Sequence, residues 1–358
     1  MPYLLNTYTM DLKFLKTCSL MVLVLLAGIV SAQISGSHSE CTAEECCCSN
    51  DLTPAGVMIS HVHNKKEWMI SYRYMAMGMA GIHKGNQEVN KGEVLETYQA
   101  FPDRMQMNMH MLMAMYGISN KLTTMVMFQY NSNYMEMTMP VAKNMHHHAM
   151  SSSGIGDTRL YALYALVKKT SSQLNLSAGL NLPSGSLHAK GEAGSAMFPG
   201  RRLPYNMQLG SGTIDLLPGM TYLAVKNKIS YSAQASGVIR TAYNDLHYKL
   251  GNEFSINAWG AWQWLPFAAT SLRLEATKAG KIKGSDSSLN MYEDLSANPA
   301  NYGGTRAFVY LGSSLQFKQG FLKKNRFGAE YGLPFYQKMK GVQMITTHAL
   351  FLSWSLTF

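Results

Sequence analysis

The stretch RMQMNMHMLMAMYG, from Arg104 to Gly117, places a methionine at every second position between Met105 and Met115. A helix has 3.6 residues per turn and would scatter these side chains around its circumference, whereas a strand places them all on one face. The segment is therefore predicted to be a β-strand whose two faces meet different surroundings.

The same period of two recurs along most of the chain after Trp68. In QLNLSAGLNL, for example, aliphatic side chains alternate with Asn175, Ser177 and Asn181. Such alternation is typical of a soluble β-sandwich and of a membrane barrel with lipid outside and water inside. Three features favour the barrel: strands near the ~9–11 residues that cross a bilayer, alternating short and long links, and aromatic residues near strand ends.

The alternating segments predict strands near residues 68–79, 104–117, 121–137, 156–168, 172–183, 206–225, 228–242, 246–264, 267–280, 304–318, 325–338 and 343–358. An even number of crossings closes an antiparallel barrel without exposed edges. The predicted fold class is therefore all-β: a closed antiparallel transmembrane β-barrel of about 12 strands, with a short Cys-rich N-terminal periplasmic segment.

The two ends of the chain predict its location. Lys13 and Lys16 precede a short apolar stretch and the small residues Ser31 and Ala32, which is the pattern of a signal peptide. We therefore predict a signal peptide in 1–32, a Cys- and His-containing segment in 33–67 and an outer-membrane barrel in 68–358. The terminal Phe358 after an alternating strand resembles the recognition signal of bacterial outer-membrane proteins. It predicts outer-membrane lipids and the barrel-assembly machinery as partners.

Three motifs carry a family resemblance. They are SGIGDTRLYALYAL from Ser153, LNLPSGS from Leu180 and LGSGTIDLLPGMTY from Leu209. These motifs resemble the outer-membrane transporters of the meta-pathway phenol-degradation family, and with the last strand the resemblance covers Gly154 to Phe358. It implies a barrel transporter that passes small hydrophobic or aromatic molecules. The methionine-rich first part of the chain departs from that family.

Composition excludes several function classes. The net charge of +10 fits contact with anionic lipid headgroups or an anion-attracting lumen. The sequence shows neither the basic face nor the stacking aromatic residues that nucleic-acid binding needs. It also contains no phosphate-binding loop, nucleophile elbow or zinc-protease helix. We therefore predict that the protein is not an enzyme and has no nucleic-acid partner.

The interior of the barrel is predicted from the rule that polar residues face the lumen. By this rule Gln106, Asn108 and His110 face the lumen and turn the six methionines from Met105 to Met115 toward lipid. Acidic and basic side chains on the lumenal phase are predicted to form a charge ladder: Asp157, Asp215, Glu253, Glu275 and Glu330 beside Arg159, Arg240, Arg273, Arg306 and Arg326. The predicted lumen-lining residues are Arg73, Met75, Met77, Met125, Met127, Gln129, Asn131, Asp157, Arg159, Arg273 and Glu275.

Four cysteines lie together in CTAEECCC, at Cys41, Cys46, Cys47 and Cys48. Adjacent Cα atoms stand ~3.8 Å apart, which is shorter than the usual disulfide separation of ~4.4–6.8 Å. The triplet therefore pairs poorly with itself. An oxidised tail, capture of a soft metal by the thiolates and acylation are the alternatives that remain.

Methionine and histidine are concentrated between Met58 and Met150. His61 and His63 are two residues apart, and NMHHHAM, residues 144–150, lies in a predicted outer loop. Thioether, imidazole and thiolate groups suit Cu(I), Ag(I) or Cu(II) better than magnesium or calcium. The predicted metal ligands are Cys41, Cys46, Cys47, Cys48, His61, His63, Met145, His146, His147, His148 and Met150.

The sequence thus predicts an outer-membrane transporter or channel that handles soft metal ions. No cofactor is required; Cu(I), Cu(II) or Ag(I) would be ligand or substrate, and periplasmic metal-handling or efflux components would be partners. The first alternative is a porin for small hydrophobic or aromatic compounds, as the family resemblance implies. The second is a surface metal-binding protein with a closed lumen.

Overall fold

Twelve antiparallel strands close into a barrel in the computed structural model, which describes residues 52–141, 144–191, 199–317 and 319–358. The contacts divide the chain into Met1–Glu44 and Glu45–Phe358, and every described residue belongs to the second unit. The predicted signal peptide and the four clustered cysteines lie outside the described residues.

We number the barrel strands β1 to β12 in chain order. They are β1 (Trp68–Lys84), β2 (Phe101–Gly117), β3 (Leu122–Val141), β4 (Asn144–Ile155 and Thr158–Lys168), β5 (Ser172–Leu182), β6 (Asp215–Lys226), β7 (Ile229–Arg240), β8 (Glu253–Leu265), β9 (Ala268–Ala279), β10 (Gly304–Gln316), β11 (Asn325–Met339) and β12 (Val342–Thr357). Both segments of β4 pair with β3, the first with its distal half and the second with its beginning.

The sheet closes because the last strand returns to the first. Each strand pairs with its sequence neighbour, and β12 also pairs with β1, with Met69 opposite Thr357. Beyond this pair, Trp68 and Phe358 exchange two backbone hydrogen bonds of 2.9 and 2.8 Å. No barrel strand is therefore left with an unpaired edge in the described barrel, and the prediction of a closed barrel of about twelve strands is confirmed.

The two ends of the barrel differ. The links at 118–121, 169–171, 227–228 and 266–267 are short, and we call their side the short-turn end. Long links at 85–100, 183–214 and 280–303 define the opposite, long-loop end. The predicted outer loop from Pro140 to Ile155 is wrong, because β3 continues to Val141 and pairs residue by residue with Asn144–Ile155. The three consecutive histidines therefore lie on a strand.

The outer face of the barrel is apolar over most of its area. Leu160, Leu176, Leu272, Leu311 and Leu333 are all exposed there, and they alternate with residues that face inward. Among the described residues, no helix has the length and apolar character required to span a membrane.

The lumen is occupied at both ends. Residues 52–64, which we call the floor segment, contact the inner wall near the short-turn end. The long links form a cap at the other end that contains a short helix, Lys91–Leu95, and the single-turn 3-10 helices Tyr205–Met207, Leu295–Ala297 and Pro299–Asn301. A two-residue ladder joins Tyr248–Lys249 to Lys283–Gly284 within this cap.

Candidate functional site: a methionine-lined lumen

The methionine stripe of β2 faces the lumen. Met111 lies opposite Arg73 on one side and Gln129 on the other. Side chains directly opposite each other on neighbouring strands point to the same face of the sheet. Arg73 and Gln129 are both buried inside the barrel, with 8% and 7% of their surface exposed. The prediction that the stripe from Met105 to Met115 faces lipid is therefore wrong.

The polar residues of β2 lie instead on the outer face. His110 Nδ1 is 2.7 Å from the Tyr72 hydroxyl, and Asn108 Oδ1 accepts a hydrogen bond of 2.8 Å from the Tyr74 hydroxyl. Because tyrosines on β1 supply these partners, exposure to an apolar surrounding costs less than it would for unpaired groups. These side chains line a shallow hollow of about 460 Å³ that also includes Ser132. The rule that polar residues face the lumen failed here because it was applied to β2 alone, without the partners that β1 provides.

Two methionine clusters line the inner wall. The lower cluster, near the floor segment, packs around Val62 and Leu163 and comprises Met111, Met113, Met115, Met125 and Met127. The upper cluster packs around Ala100 and Leu203 and comprises Met105, Met135, Met137, Met150, Met207 and Met344. Most of the inner wall of β1 to β3 is therefore built of flexible, polarizable thioether side chains.

Polar side chains of the wall hold the floor segment by its backbone. Arg73 donates a hydrogen bond of 3.0 Å to the Val57 carbonyl, and Asn175 donates one of 2.8 Å to the Ser60 carbonyl. These bonds satisfy backbone groups that the enclosed lumen would otherwise leave without partners. The further donors are Gln234 to Met58 (2.7 Å), Thr221 to Ile59 (3.4 Å) and Arg326 to Thr53.

A charged cluster lies beside the floor segment. Arg273 is 1% exposed; its Nε is 3.0 Å from a Glu330 oxygen, and its Nη1 is 2.6 Å from a Glu275 oxygen and 2.8 Å from Asn257 Oδ1. Its guanidinium carbon stands 3.7 Å from the centre of the Tyr310 ring. A buried arginine is tolerated because carboxylates, an amide and an aromatic face surround it.

Gly56 is the point of closest contact between the floor segment and this cluster. The Gly56 N–H donates a hydrogen bond to Glu330. A Cβ atom at Gly56 would stand only 2.2 Å from Arg273 Nη2, so a larger residue fits only if the floor segment or the Arg273 guanidinium moves. The charged cluster therefore acts on the floor as well as on the wall.

The floor segment ends at a second anchor before β1. The His63 N–H donates to Thr123 Oγ1 at 2.8 Å, and the Asn64 N–H donates to Glu67 Oε2 at 2.8 Å. The His63 ring, whose Nδ1 is 3.7 Å from Glu67 Oε2, and the Asn64 N–H lower the pKa of Glu67 to about 2 although partial burial opposes the shift. Glu67 is thus charged at neutral pH and fixes the turn that leads into the barrel.

All the side chains predicted to line the lumen lie on its inner face, as the register and their contacts show. Asn131 donates to the Leu209 carbonyl at 3.3 Å, and Asp157 accepts from Asn181 at 2.7 Å. The remaining members occupy the same face: Met75, Met77, Met125, Met127, Arg159 and Glu275. The charged residues among them bind the floor segment, the wall or, in the case of Asp157, the 183–214 link through Gly185 and Ser211.

The predicted metal ligands do not form one site. His61 and His63 belong to the floor segment, with ring centres 4.9 Å apart. His147 lies on the opposite face of β4 from His146 and His148, and its Nδ1 is 2.8 Å from Thr138 Oγ1. Met145 shares the face of His147, with 57% of its surface exposed. In the described part of the chain, no group of three or more His, Cys, Asp or Glu side chains could hold a metal ion.

One buried carboxylate lies in the cap at the long-loop end. Asp294 has no exposed surface and pairs through its backbone with Ala100 beside the upper cluster. Burial raises the pKa of Asp294 to about 7, and the nearby polar groups of Ser296 offset only part of this effect. Neither the upper cluster nor this carboxylate was identified from sequence. The pairing of β2 with β1 would have indicated the upper cluster, because it places Met111 opposite the inward-facing Arg73.

No protein-family model and no curated protein sequence match the chain. Among solved structures, the chain is similar to the COG4313 outer membrane channel from Pseudomonas putida F1, with a TM-score of 0.57 and 12% identity, over 84% of this chain and 98% of that one. At this identity the likeness concerns the fold alone.

Two further solved structures align with lower TM-scores. The P. putida toluene transporter TodX aligns over 83% of this chain and 91% of its own, with 9% identity and a TM-score of 0.42. A Pseudomonas aeruginosa FadL homologue aligns over 82% of this chain and 90% of its own, with 9% identity and a TM-score of 0.41. These scores support no detailed equivalence. The chain thus forms a closed β-barrel whose fold is similar to that of the COG4313 outer membrane channel.

Proposed function

We propose that the protein is a bacterial outer-membrane channel for small apolar molecules, aromatic compounds included. The observation that supports this proposal is the inner face of the barrel, where the two methionine clusters lie mostly on β2 and β3. Methionine has three rotatable side-chain bonds and a polarizable sulfur, so such a wall adapts to solutes of different shape and contacts aromatic rings favourably. This is the porin alternative from the sequence, now with the methionines facing inward.

The charged residues of the lumen support the same proposal. Arg273 and Glu330 are engaged with each other and with the floor segment, and Arg73 is bound to the Val57 carbonyl. Along the inner wall of β1 to β3 a solute therefore contacts mainly thioethers, and Arg73 on that wall is already bound to the floor segment. Solutes that need many hydrogen bonds find fewer partners along this wall than in a lumen lined by free charged side chains.

The floor segment would serve as the gate of this channel. It is held by hydrogen bonds and side-chain packing near the short-turn end. Its displacement would open the lumen to the periplasm if the short turns face that compartment. In this proposal the outer-membrane lipids surround the apolar outer face, and the barrel-assembly machinery recognises the strand that ends at Phe358.

Uptake through the outer membrane tests the proposal. A porin-deficient bacterial host that expresses the protein should take up radiolabelled phenol faster than a host without it, while uptake of a labelled disaccharide stays at background. Replacing residues 54–61 by an equally long Gly/Ser segment should accelerate the uptake of both solutes, because the floor is no longer held.

A control at another site of the same end replaces residues 319–323, which lie in the link between β10 and β11, with Gly and Ser, and uptake should then stay at the level of the unaltered protein. If phenol uptake in cells with the unaltered protein and with the floor variant equals that of cells without either, the channel proposal fails.

A further inference from the structure

The hairpin formed by the distal half of β3 and the first segment of β4 carries a ladder of sulfur and imidazole side chains. Met137 lies opposite His148, and Met135 lies opposite Met150. Met135, Met137 and Met150 are buried members of the upper cluster, so this face of the hairpin points inward. Directly opposed side chains have Cβ atoms only ~4.5–5.5 Å apart. Two neighbouring strands thus bring three thioethers and one imidazole together.

Thioether lone pairs already converge on a positively polarised group at this place. The Asn206 side-chain nitrogen stands 3.5 Å from the Met105 sulfur and 3.7 Å from the Met135 sulfur. Both sulfurs act as acceptors toward a single amide group. The sulfur atoms of Met105 and Met135 are therefore directed toward a common point and not only toward neighbouring hydrocarbon.

The imidazole of the ladder has a buried nitrogen available. His148 Nε2 is shielded from solvent and has no hydrogen-bond partner within the described residues. The His148 ring is stacked with that of His146, with centres 6.4 Å apart and planes 11° from parallel. An unpaired nitrogen in such a position costs free energy unless a ligand or water satisfies it.

We propose that this ladder binds a soft monovalent cation, Cu(I) or Ag(I), through Met135, Met137, Met150 and His148. Thioether sulfur and imidazole nitrogen are ligands that suit these ions, whereas Mg²⁺ and Ca²⁺ take oxygen ligands. The proposed ligands include no carboxylate, and neutral ligands match a cation of single charge better than one of double charge. The methionine side chains supply the flexibility needed to turn their sulfurs onto one ion.

This site goes beyond the proposed channel function and does not depend on it. It differs from the ligand set predicted from sequence, because it uses β3 methionines and excludes His147 and Met145, which lie on the other face of β4. The histidines of the floor segment take no part in it.

Silver titration tests the site. The mature protein in detergent and chloride-free buffer, with Cys41, Cys46, Cys47 and Cys48 changed to serine, should bind Ag(I) in isothermal titration calorimetry and bind Zn(II) far more weakly. The combined change of Met135, Met137 and Met150 to leucine should weaken Ag(I) binding more than ~10-fold. Even residues behind metal ligands change affinity by ~10–100-fold. Leucine preserves volume and apolar character, so the fold should persist.

The matched control removes the same number of thioethers from exposed positions, by changing Met145, Met220 and Met291 to leucine. It should bind Ag(I) like the parent. His148→Gln should weaken binding while heat-dependent gel migration of the folded barrel stays unchanged. X-ray absorption at the copper edge should show sulfur together with nitrogen ligands.

Unchanged Ag(I) affinity in the triple leucine variant would overturn the proposal, as would an equal loss in the exposed-methionine control. Phenol uptake measured on the same variants separates this outcome from the channel function. The separating variant is His148→Gln, because His148 belongs to neither methionine cluster: it should weaken Ag(I) binding while phenol uptake stays at the parent level. Background phenol uptake by the parent protein together with intact Ag(I) binding would contradict only the channel.

Discussion

Gly56 shows how a single residue determines the state of the lumen. Because Gly56 has no side chain, the floor segment can lie close to Arg273. The Gly56 N–H then donates a hydrogen bond to Glu330, which holds the segment in place. The charged cluster and the floor segment are therefore packed together, and adding a single Cβ atom at Gly56 would disturb both.

Changing Gly56 to alanine should push the floor segment away from the wall, since the new Cβ would stand 2.2 Å from Arg273 Nη2. We expect more frequent open events in planar-bilayer conductance recordings and a stability loss of about 1–3 kcal/mol, typical of overpacking. Gly260→Ala is the control, because a Cβ there meets only the Ser230 carbonyl at 3.9 Å. Equal conductance in the two variants would refute this role of Gly56.

At the residue scale, the sequence predicted which face of the sheet a side chain occupies when that side chain is charged. Arg73 and Arg273 lie in the lumen as predicted, because an unpaired charge on an apolar outer face is costly. His110 and the methionines between Met105 and Met115 were assigned to the wrong faces. A neutral polar residue can be satisfied by neighbouring tyrosines, and methionine is apolar enough for either face, so only the register with β1 and β3 determines their orientation.

At the scale of the structural elements, the protonation state of Asp294 affects the stability of the cap at the long-loop end. The Asp294 backbone pairs with that of Ala100 and precedes the turn Leu295–Ala297, and the nearby charge of Glu293 adds to the effect of burial on the pKa of the Asp294 carboxyl group. The folded state therefore holds the proton up to a pH of about 7, whereas the unfolded chain releases it near the ordinary value of 3.8.

The pH dependence of the cap follows from this difference. Between pH ~4 and ~7 the folded cap binds more protons than the unfolded one, so its stability falls as the pH rises through that range and levels off above it. Cleavage of the 280–303 link by an added protease should be faster at pH 8 than at pH 5, after correction for the protease's own pH profile. Asp294→Asn should remove most of this difference because it cannot ionise. A difference as large as that of the parent protein would contradict the assignment.

The elements also show where sequence patterns lose their information. The strands β5 and β9 alternate aliphatic and polar residues and were predicted almost to their ends. The first segment of β4 reads NMHHHAMSSSGI, without that alternation, and was predicted to be a loop. It forms a strand because β3 offers it a continuous ladder of partners. The floor segment has no periodicity and was not placed in the lumen from sequence.

At the scale of the whole molecule, closure depends on the two ends of the described chain. β12 pairs with both β1 and β11, and Trp354 donates a hydrogen bond of 2.9 Å to Asn325 across the last hairpin. Without β12, two strands would have unpaired edges, which cannot be accommodated in hydrocarbon.

A chain that ends at Lys340 should therefore fail to form a heat-modifiable barrel when refolded in detergent, as judged by gel migration before and after boiling. Phe358→Ala keeps the backbone bonds to Trp68 and should refold like the parent protein. In cells the same substitution should lower the yield in the outer membrane if the assembly machinery reads the terminal ring. Normal heat modification of the truncated chain would show that closure does not need β12.

The course of the floor segment has a mechanical consequence. Leu52 packs against Ala261 and Ala269 near one short turn, and His63 is bound beside another, so the described segment enters and leaves the lumen on the same side. It can be withdrawn without separating any strands. Tension applied at Leu52 would break the contacts in sequence, beginning with those nearest to it. The force required would then be set by the strongest single contact and not by the sum of all of them.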